Sequence, residues 1–167
     1  GEITHLRNFE LYDWGCGQGI GSLVLLQMLH ERDMLHGLRC VTLIEPSETA
    51  ISRAERWVRQ AVHASTDIRI INRYIPKNED KIWDDIECHA PIAIHICSNI
   101  LDIAEVGLKW LAYTTSHISG NNIYVCVGPQ YGRGISRISD FHNYLGNPDC
   151  FANFSKYPCA YTSRTRH

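Results

Sequence analysis

Five strand-like runs alternate with helical patterns along this chain, and that alternation limits the fold more than any other feature. Phe9 to Tyr12, Cys40 to Ile44, Asp67 to Asn72, Pro91 to Cys97 and Asn122 to Val127 are short runs of β-branched, aromatic and other apolar residues. Between them apolar residues recur at helical spacing: from about Gly19 to Arg32, from Glu48 to Val62 through Ala50, Ile51, Ala54, Trp57, Val58 and Ala61, and from Leu101 to Ser116 through Ile103, Val106, Leu108, Trp110, Leu111 and Ala112. Ile135 to Leu145 predicts a further helix, and the polar stretch Lys77 to Ile86 would carry Ile82, Trp83 and Ile86 on one helical face. Strands separated by helices build a parallel sheet covered on both sides, so the pattern predicts an α/β, doubly wound architecture. Pro91 to Cys97 is almost continuously apolar, as a central strand buried on both faces must be. With 167 residues, 44% of them hydrophobic, the chain has material for one domain, spanning 1–167, with a sizeable core.

Where the first strand meets the first helix stands Asp13-Trp14-Gly15-Cys16-Gly17-Gln18-Gly19. Glycines on alternate positions turn tightly and let backbone approach a ligand, and the helix that follows aims its free N-terminal amides at the same place. The spacing is not that of a dinucleotide fingerprint, because the sixth position from Gly15 is Ile20. A second acidic residue, Glu45, ends the second strand and is followed by Pro46 and Ser47. In nucleoside-binding sheets of this kind a carboxylate there accepts hydrogen bonds from ribose hydroxyls. The plainer reading is that Glu45 opens a turn and Ser47 caps the next helix.

Composition narrows the partners. Sixteen basic against eighteen acidic residues give a formal charge of -2, so net charge lends nucleic-acid binding no support, although a local patch stays open. Seven cysteines are an odd number, and Cys40, Cys97 and Cys126 fall in apolar runs, which favours reduced, buried thiols and a cytoplasmic setting. Cys88, His89, His95 and Cys97 invite a zinc reading but lack paired short-spacing ligands and straddle a strand, so no metal is expected. Nothing resembles a signal peptide or a membrane span.

The acidic-x-Gly-x-Gly-x-Gly run from Asp13 to Gly19, with Glu45 after the second strand, resembles the first two motifs of class I S-adenosylmethionine-dependent methyltransferases, of the Rossmann-like methyltransferase superfamily. The resemblance covers about Phe9 to Val127. It implies a mostly parallel sheet in strand order 3-2-1-4-5, with S-adenosylmethionine as cofactor in the crevice between strands one and four. Carried over by motif, the cofactor-binding set is Asp13, Gly15, Cys16, Gly17, Gly19, Glu45, Pro46, Asn72 and Ser98. Asp13 is expected to hold the loop, or a water beside the cofactor's ammonium, and Trp14 to pack under the glycine turn. Asn72 falls where the family meets the adenine amino group.

The end of the fourth strand, Cys97-Ser98-Asn99-Ile100-Leu101-Asp102, matches the family's loop beside the methyl group and the acceptor. Asn99 is expected to line the crevice and Asp102 to act as base, against the plainer reading that Asp102 caps a helix starting at Ile103. Asn99 lacks the proline and aromatic that follow it in base-amine methyltransferases, which disfavours that acceptor. Tyr131 and Arg133, in the glycine-rich loop Gly128 to Gly134, are candidates for substrate contact or belong to a plain connection. The family adds an antiparallel strand pair after the fifth helix, for which Asp149 to His167 is too short, and the last seven residues read as an exposed tail. A piece of a longer protein and an abbreviated fold both fit that shortage. Three functions follow as alternatives: methyl transfer to an unidentified acceptor, a catalytically silent methyltransferase-like binding or scaffold domain alongside other domains of the same protein, and a nicotinamide-dependent oxidoreductase.

Overall fold

A computed structural model describes residues 7–77, 83, 86–128 and 134–146. Its elements follow in the order β1 (Phe9–Trp14), α1 (Ile20–His30), β2 (Leu38–Ile44), α2 (Glu48–Ala61), β3 (Asp67–Ile71), β4 (Ile92–Ser98), α3 (Leu108–Ser116), β5 (Asn121–Val127) and α4 (Gly134–Leu145). The five strands form one sheet in the order β3-β2-β1-β4-β5, and every neighbouring pair is parallel. This is the α/β, Rossmann-like arrangement that the alternation and the glycine motif lead one to expect. The chain leaves β1 toward β2 on one side and later toward β4 on the other, so the carboxyl ends of β1 and β4 flank a switch point.

The side chains of the three central strands alternate with period two, and each set meets its own layer. Phe9, Leu11, Val41, Leu43, Ile94 and Ile96 pack with Leu26 and Leu29 of α1 and Ile51, Ala54 and Val58 of α2. Tyr12, Trp14, Ile44, Ala93 and Cys97 pack with Trp110 and Leu111 of α3 and Phe141 of α4. The tertiary contacts pair α1 with α2 and α3 with α4, which is the doubly wound pattern. On α2 Ser47 is the N-cap, its Oγ accepting the Ala50 N–H at 3.3 Å. Trp57, expected on the buried face of that helix, is 48% exposed, with the guanidinium of Arg56 over its ring. Helix α1 contains no Asp, Glu, Lys or Arg, and leaves Ile20, Val24 and Met28 exposed at positions i, i+4 and i+8.

One expected helix is corrected. The helix read from Leu101 to Ser116 begins only at Leu108. The Gly107 N–H donates to Pro76 O at 3.1 Å rather than to a preceding turn, and a Cβ at Gly107 would stand 2.2 Å from the Lys77 carbonyl oxygen. The backbone at Gly107 is therefore pressed against the segment after β3, and Leu101 to Val106 cross the sheet end as successive turns. Asp102 consequently caps no helix at Ile103. The described residues between 72 and 91 form an irregular strap in which Ile75, Ile86 and Cys88 are buried, with Trp83 packed against the same core. Most of the expected helix there, residues 78–82, 84 and 85, lies outside the described residues, as do Tyr131, Arg133 and everything after Gly146.

Side chains satisfy the strap's backbone where no ladder does. Arg69 and Tyr12 donate to Glu87 O at 3.0 and 3.3 Å, Ser119 donates to Cys88 O at 2.9 Å, and the buried carboxylate of Glu10 accepts the His89 N–H at 2.9 Å. Among the described residues no helix is long and apolar enough to cross a membrane.

Candidate functional site

A cavity of about 370 Å³ opens at the switch point, lined by Gly15, Cys16, Gly17, Ile20, Gly21, Glu45, Ser98, Asn99, Ile100 and Ile103. Four segments supply it: the glycine turn, the first turn of α1, the residue after β2 and the loop after β4. Small-molecule sites typically measure roughly 300 to 1,000 Å³ and favour such switch points.

The turn needs its glycines for two distinct reasons. Gly15, Gly17 and Gly19 adopt φ of 68°, 53° and 82°, a region that side chains rarely enter. Gly15 is also a matter of space, because a Cβ there would stand 2.4 Å from Ile100 Cδ1, whereas a Cβ at Gly17 would meet nothing within 4 Å. Within the turn the Gly19 N–H donates to Cys16 O at 2.8 Å, and the Cys16 N–H reaches Ile44 O at 3.0 Å. Helix α1 then begins with its first amides at the cavity wall.

Asp13 sits below this turn, 1% exposed. Its Oδ2 accepts the Ser22 N–H at 3.1 Å and the Ser22 hydroxyl at 2.6 Å, tying the end of β1 to the first turn of α1. Its Oδ1 is buried without a protein partner. Burial pushes the Asp13 carboxyl up to about 6, with the charge of Glu45 adding to the shift and the two bonds from Ser22 opposing it. Glu45 faces the cavity and gives one oxygen to each side: Oε2 accepts the Gly17 N–H at 3.0 Å and Oε1 accepts the Ser47 N–H at 3.0 Å. The carboxylate thus joins the glycine turn to the start of α2 while keeping lone pairs for a ligand's hydroxyls. Cys16 is buried at the wall, and desolvation, then the charges of Asp13 and Glu45, push its thiol well up, so it is held as a neutral thiol.

On the other side of the cavity the Asn99 N–H donates to Val127 O at 2.7 Å, clasping the ends of β4 and β5, and Asn99 itself takes a left-handed φ of 57°. Ser98 is half-buried and Asn99 exposed. Of the residues expected from sequence, Gly15, Cys16, Gly17, Glu45, Ser98 and Asn99 converge on the cavity, while Asp13, Gly19, Pro46, Asn72 and Asp102 do not line it. Asn72 acts as a brace, its Nδ2 donating to Glu45 O at 2.9 Å and Pro46 O at 3.0 Å. Asp102 is half-buried, with Oδ1 lacking a partner. Trp14 turns away from the cavity, fully buried, and donates its indole N–H to His95 Nδ1 at 3.1 Å.

Sequence reasoning missed Ile20, Gly21, Ile100 and Ile103 in the lining, and Ser22 beneath it. Gly21 had a signal, since it extends the alternate glycines of 15, 17 and 19 by one step. A Cβ there would come within 3.2 Å of Ile96 and Ser98, so the glycine seats α1 on β4. The isoleucines had none, because any apolar residue after β4 reads as core. Among the described residues no group of His, Cys, Asp or Glu is placed to hold a metal ion, and Cys16, Cys40, Cys88, Cys97 and Cys126 are all buried free thiols.

No family model matches the chain, and no curated protein matches it in sequence. Among solved structures it is similar to a "putative S-adenosylmethionine dependent methyltransferase" from Listeria monocytogenes, with a TM-score of 0.38 and 15% identity over 71% of this chain. The chain spans 46% of the length of that structure.

Proposed function

We propose that this chain binds S-adenosylmethionine in the cavity between β1 and β4 and transfers its methyl group to an acceptor. The observation that carries this reading is the convergence on one cavity of the left-handed glycine turn, the amides that open α1 and the carboxylate of Glu45. Each part suits one part of the cofactor: backbone without Cβ for close approach, Glu45 for the ribose hydroxyls, and the neighbouring acid Asp13 for electrostatic attraction to the ammonium. The apolar residues Ile20, Ile100 and Ile103 offer contact for its uncharged surface. The bound cofactor supplies a methyl group on a sulfonium, and its transfer is an in-line displacement in which alignment contributes most of the acceleration. The residues of this chain would therefore bind and orient, with Ser98 and Asn99 on the acceptor side.

A second reading is a domain that holds the cofactor without turnover. It is favoured by one observation, that Glu45 is the sole carboxylate among the described residues lining the cavity and is already joined to two backbone amides. Calorimetric titration with S-adenosylmethionine, S-adenosylhomocysteine and a nicotinamide dinucleotide tests the site. Micromolar binding of the two sulfur ligands alone is expected. Gly17→Asp should abolish it, and Glu45→Ala should weaken it by about 1 to 3 kcal/mol through lost charged hydrogen bonds. Unchanged affinity in both variants would remove the assignment, and binding without methyl transfer across thiol, amine, hydroxyl and carboxylate acceptors would favour the second reading.

A further inference from the structure

One wall of the cavity is built from backbone that has no regular structure of its own. After Asn99 the chain makes two short turns, with the Ile103 N–H on Ile100 O at 3.3 Å and the Val106 N–H on Ile103 O at 3.1 Å, before α3 begins at Leu108. In a helix the carbonyls of this stretch would accept amides four residues on. Here a side chain takes that place. The guanidinium of Arg137, from the first turn of α4, donates Nε–H to Leu101 O and Nη2–H to both Ile103 O and Val106 O, the last two at 2.9 Å. Three carbonyls of one six-residue loop thus converge on one planar cation.

That loop bears directly on the cavity. Ile100 lies against Gly15 closely enough that a Cβ on the glycine would collide with it, and Ile103 forms part of the lining though its side chain is 43% exposed. At the near end the loop is secured by the Asn99 to Val127 bond, and at the far end by Gly107 on Pro76. Between those two points Arg137 supplies three hydrogen bonds from outside the loop. A guanidinium presents five N–H donors in a fixed plane, whereas an ammonium on a flexible stem cannot span three carbonyls in the same fork.

We propose that Arg137 is a positioning residue for the cavity: it holds the Leu101 to Val106 loop, and through it the wall formed by Asn99, Ile100 and Ile103, so that ligand affinity depends on the docking of α4. This deepens the cofactor reading and rests on it for the ligand used as probe. The residue touches no ligand itself and acts through the loop.

The test combines titration with S-adenosylhomocysteine and amide hydrogen exchange on the whole chain, for wild type, Arg137→Ala, Arg137→Lys and, as a surface control, Arg59→Ala. In both Arg137 variants exchange at Ile103 and Val106 should accelerate about tenfold or more while the Ser22 amide keeps its protection. The dissociation constant should rise about tenfold, equivalent to about 1.4 kcal/mol. Millimolar ethylguanidinium should restore much of both effects in Arg137→Ala, and an equal concentration of ethylammonium should not. A general loss of packing would raise exchange at Ser22 as well and would escape rescue. Wild-type exchange rates at Ile103 and Val106 in Arg137→Lys, or an affinity unchanged despite faster exchange, would overturn the proposal. Failure of wild type to bind the probe would sink the cofactor reading instead, leaving exchange and its rescue to decide whether Arg137 holds the loop.

Discussion

On the face covered by α1 and α2, the central strands present Phe9, Leu11, Val41, Leu43, Ile94 and Ile96, and the layer is nearly all aliphatic. On the face toward α3 and α4 the same strands present Tyr12, Trp14, Thr42, His95 and Cys97, all fully buried. Register aligns Thr42, Tyr12, His95 and Tyr124 across four strands, so that His95 is stacked between two tyrosine rings at 5.3 and 4.9 Å. The first face is held by area removed from water, which is non-directional and tolerant of exchange among aliphatic residues. The second is held in part by directed bonds. Trp14 donates to His95 Nδ1, which therefore carries its proton on Nε2 and donates to Asn122 Oδ1 at 2.8 Å, and Asn122 Nδ2 donates to Ile118 O at 3.0 Å. Directed networks resist substitution because each member left alone is a buried, unpaired polar group.

The largest effect should come from breaking that relay. His95→Leu would orphan the Trp14 N–H and Asn122 Oδ1, at about 1 to 3 kcal/mol each, so urea unfolding should show a loss of about 2 to 6 kcal/mol. A loss below 1 kcal/mol would mean the polar face behaves like the aliphatic one.

His95 and Asp13, buried on opposite faces, titrate in opposite senses. Burial lowers His95 to about 4, so the unfolded chain takes up its proton first as pH falls. The stability that His95 contributes is complete above about pH 6.5 and is lost as pH falls toward 4. Asp13, on the aliphatic face with Phe9 and Leu11, is raised to about 6, so the folded chain binds the proton more tightly. Its contribution is present below about pH 4 and is lost as pH rises toward 6. Each is worth about 3 kcal/mol, and between pH 4 and 6 they nearly cancel. Asp13→Asn should therefore expose a stability that climbs from pH 4 to 6.5, and His95→Asn one that declines from pH 4 to 6, both by urea unfolding at fixed ionic strength. Flat profiles in both variants would contradict the burial of these groups.

The smallest effect sharpens the contrast from the aliphatic side. Ile96→Val removes one methylene from the aliphatic layer and deletes no hydrogen bond, so a loss of about 1 kcal/mol is expected, with no change in the pH profile.

How legible these features were in sequence differs by face and by side of the cavity. Apolar runs bounded by turn residues are local signals, and β1, β2, α1 and α2 fall within a few residues of their expected limits. Gly15, Gly17 and Glu45 were legible because turn chemistry and position after a strand are local signals. Leu101 to Val106 were misread because their apolar spacing is helical, while the reason they are not helical lies at Pro76 and Lys77, which press on Gly107, and at Arg137, which takes the carbonyls. The reading of Asp102 as the cap of a helix at Ile103 failed for the same cause. Nothing near His95 in the chain pointed to Trp14 or Asn122, since the relay exists only once three strands lie side by side.

The chain by itself determined the α/β class, the strands and the interior position of β4, and the glycine turn with Glu45, because these follow from hydrophobic pattern and from backbone freedom within a few residues. Tertiary structure alone decided which face Asp13 and His95 occupy, where α3 begins and which loop closes the cavity. Those outcomes depend on hydrogen bonds and steric contacts between residues distant in the chain, whose partners no local pattern specifies.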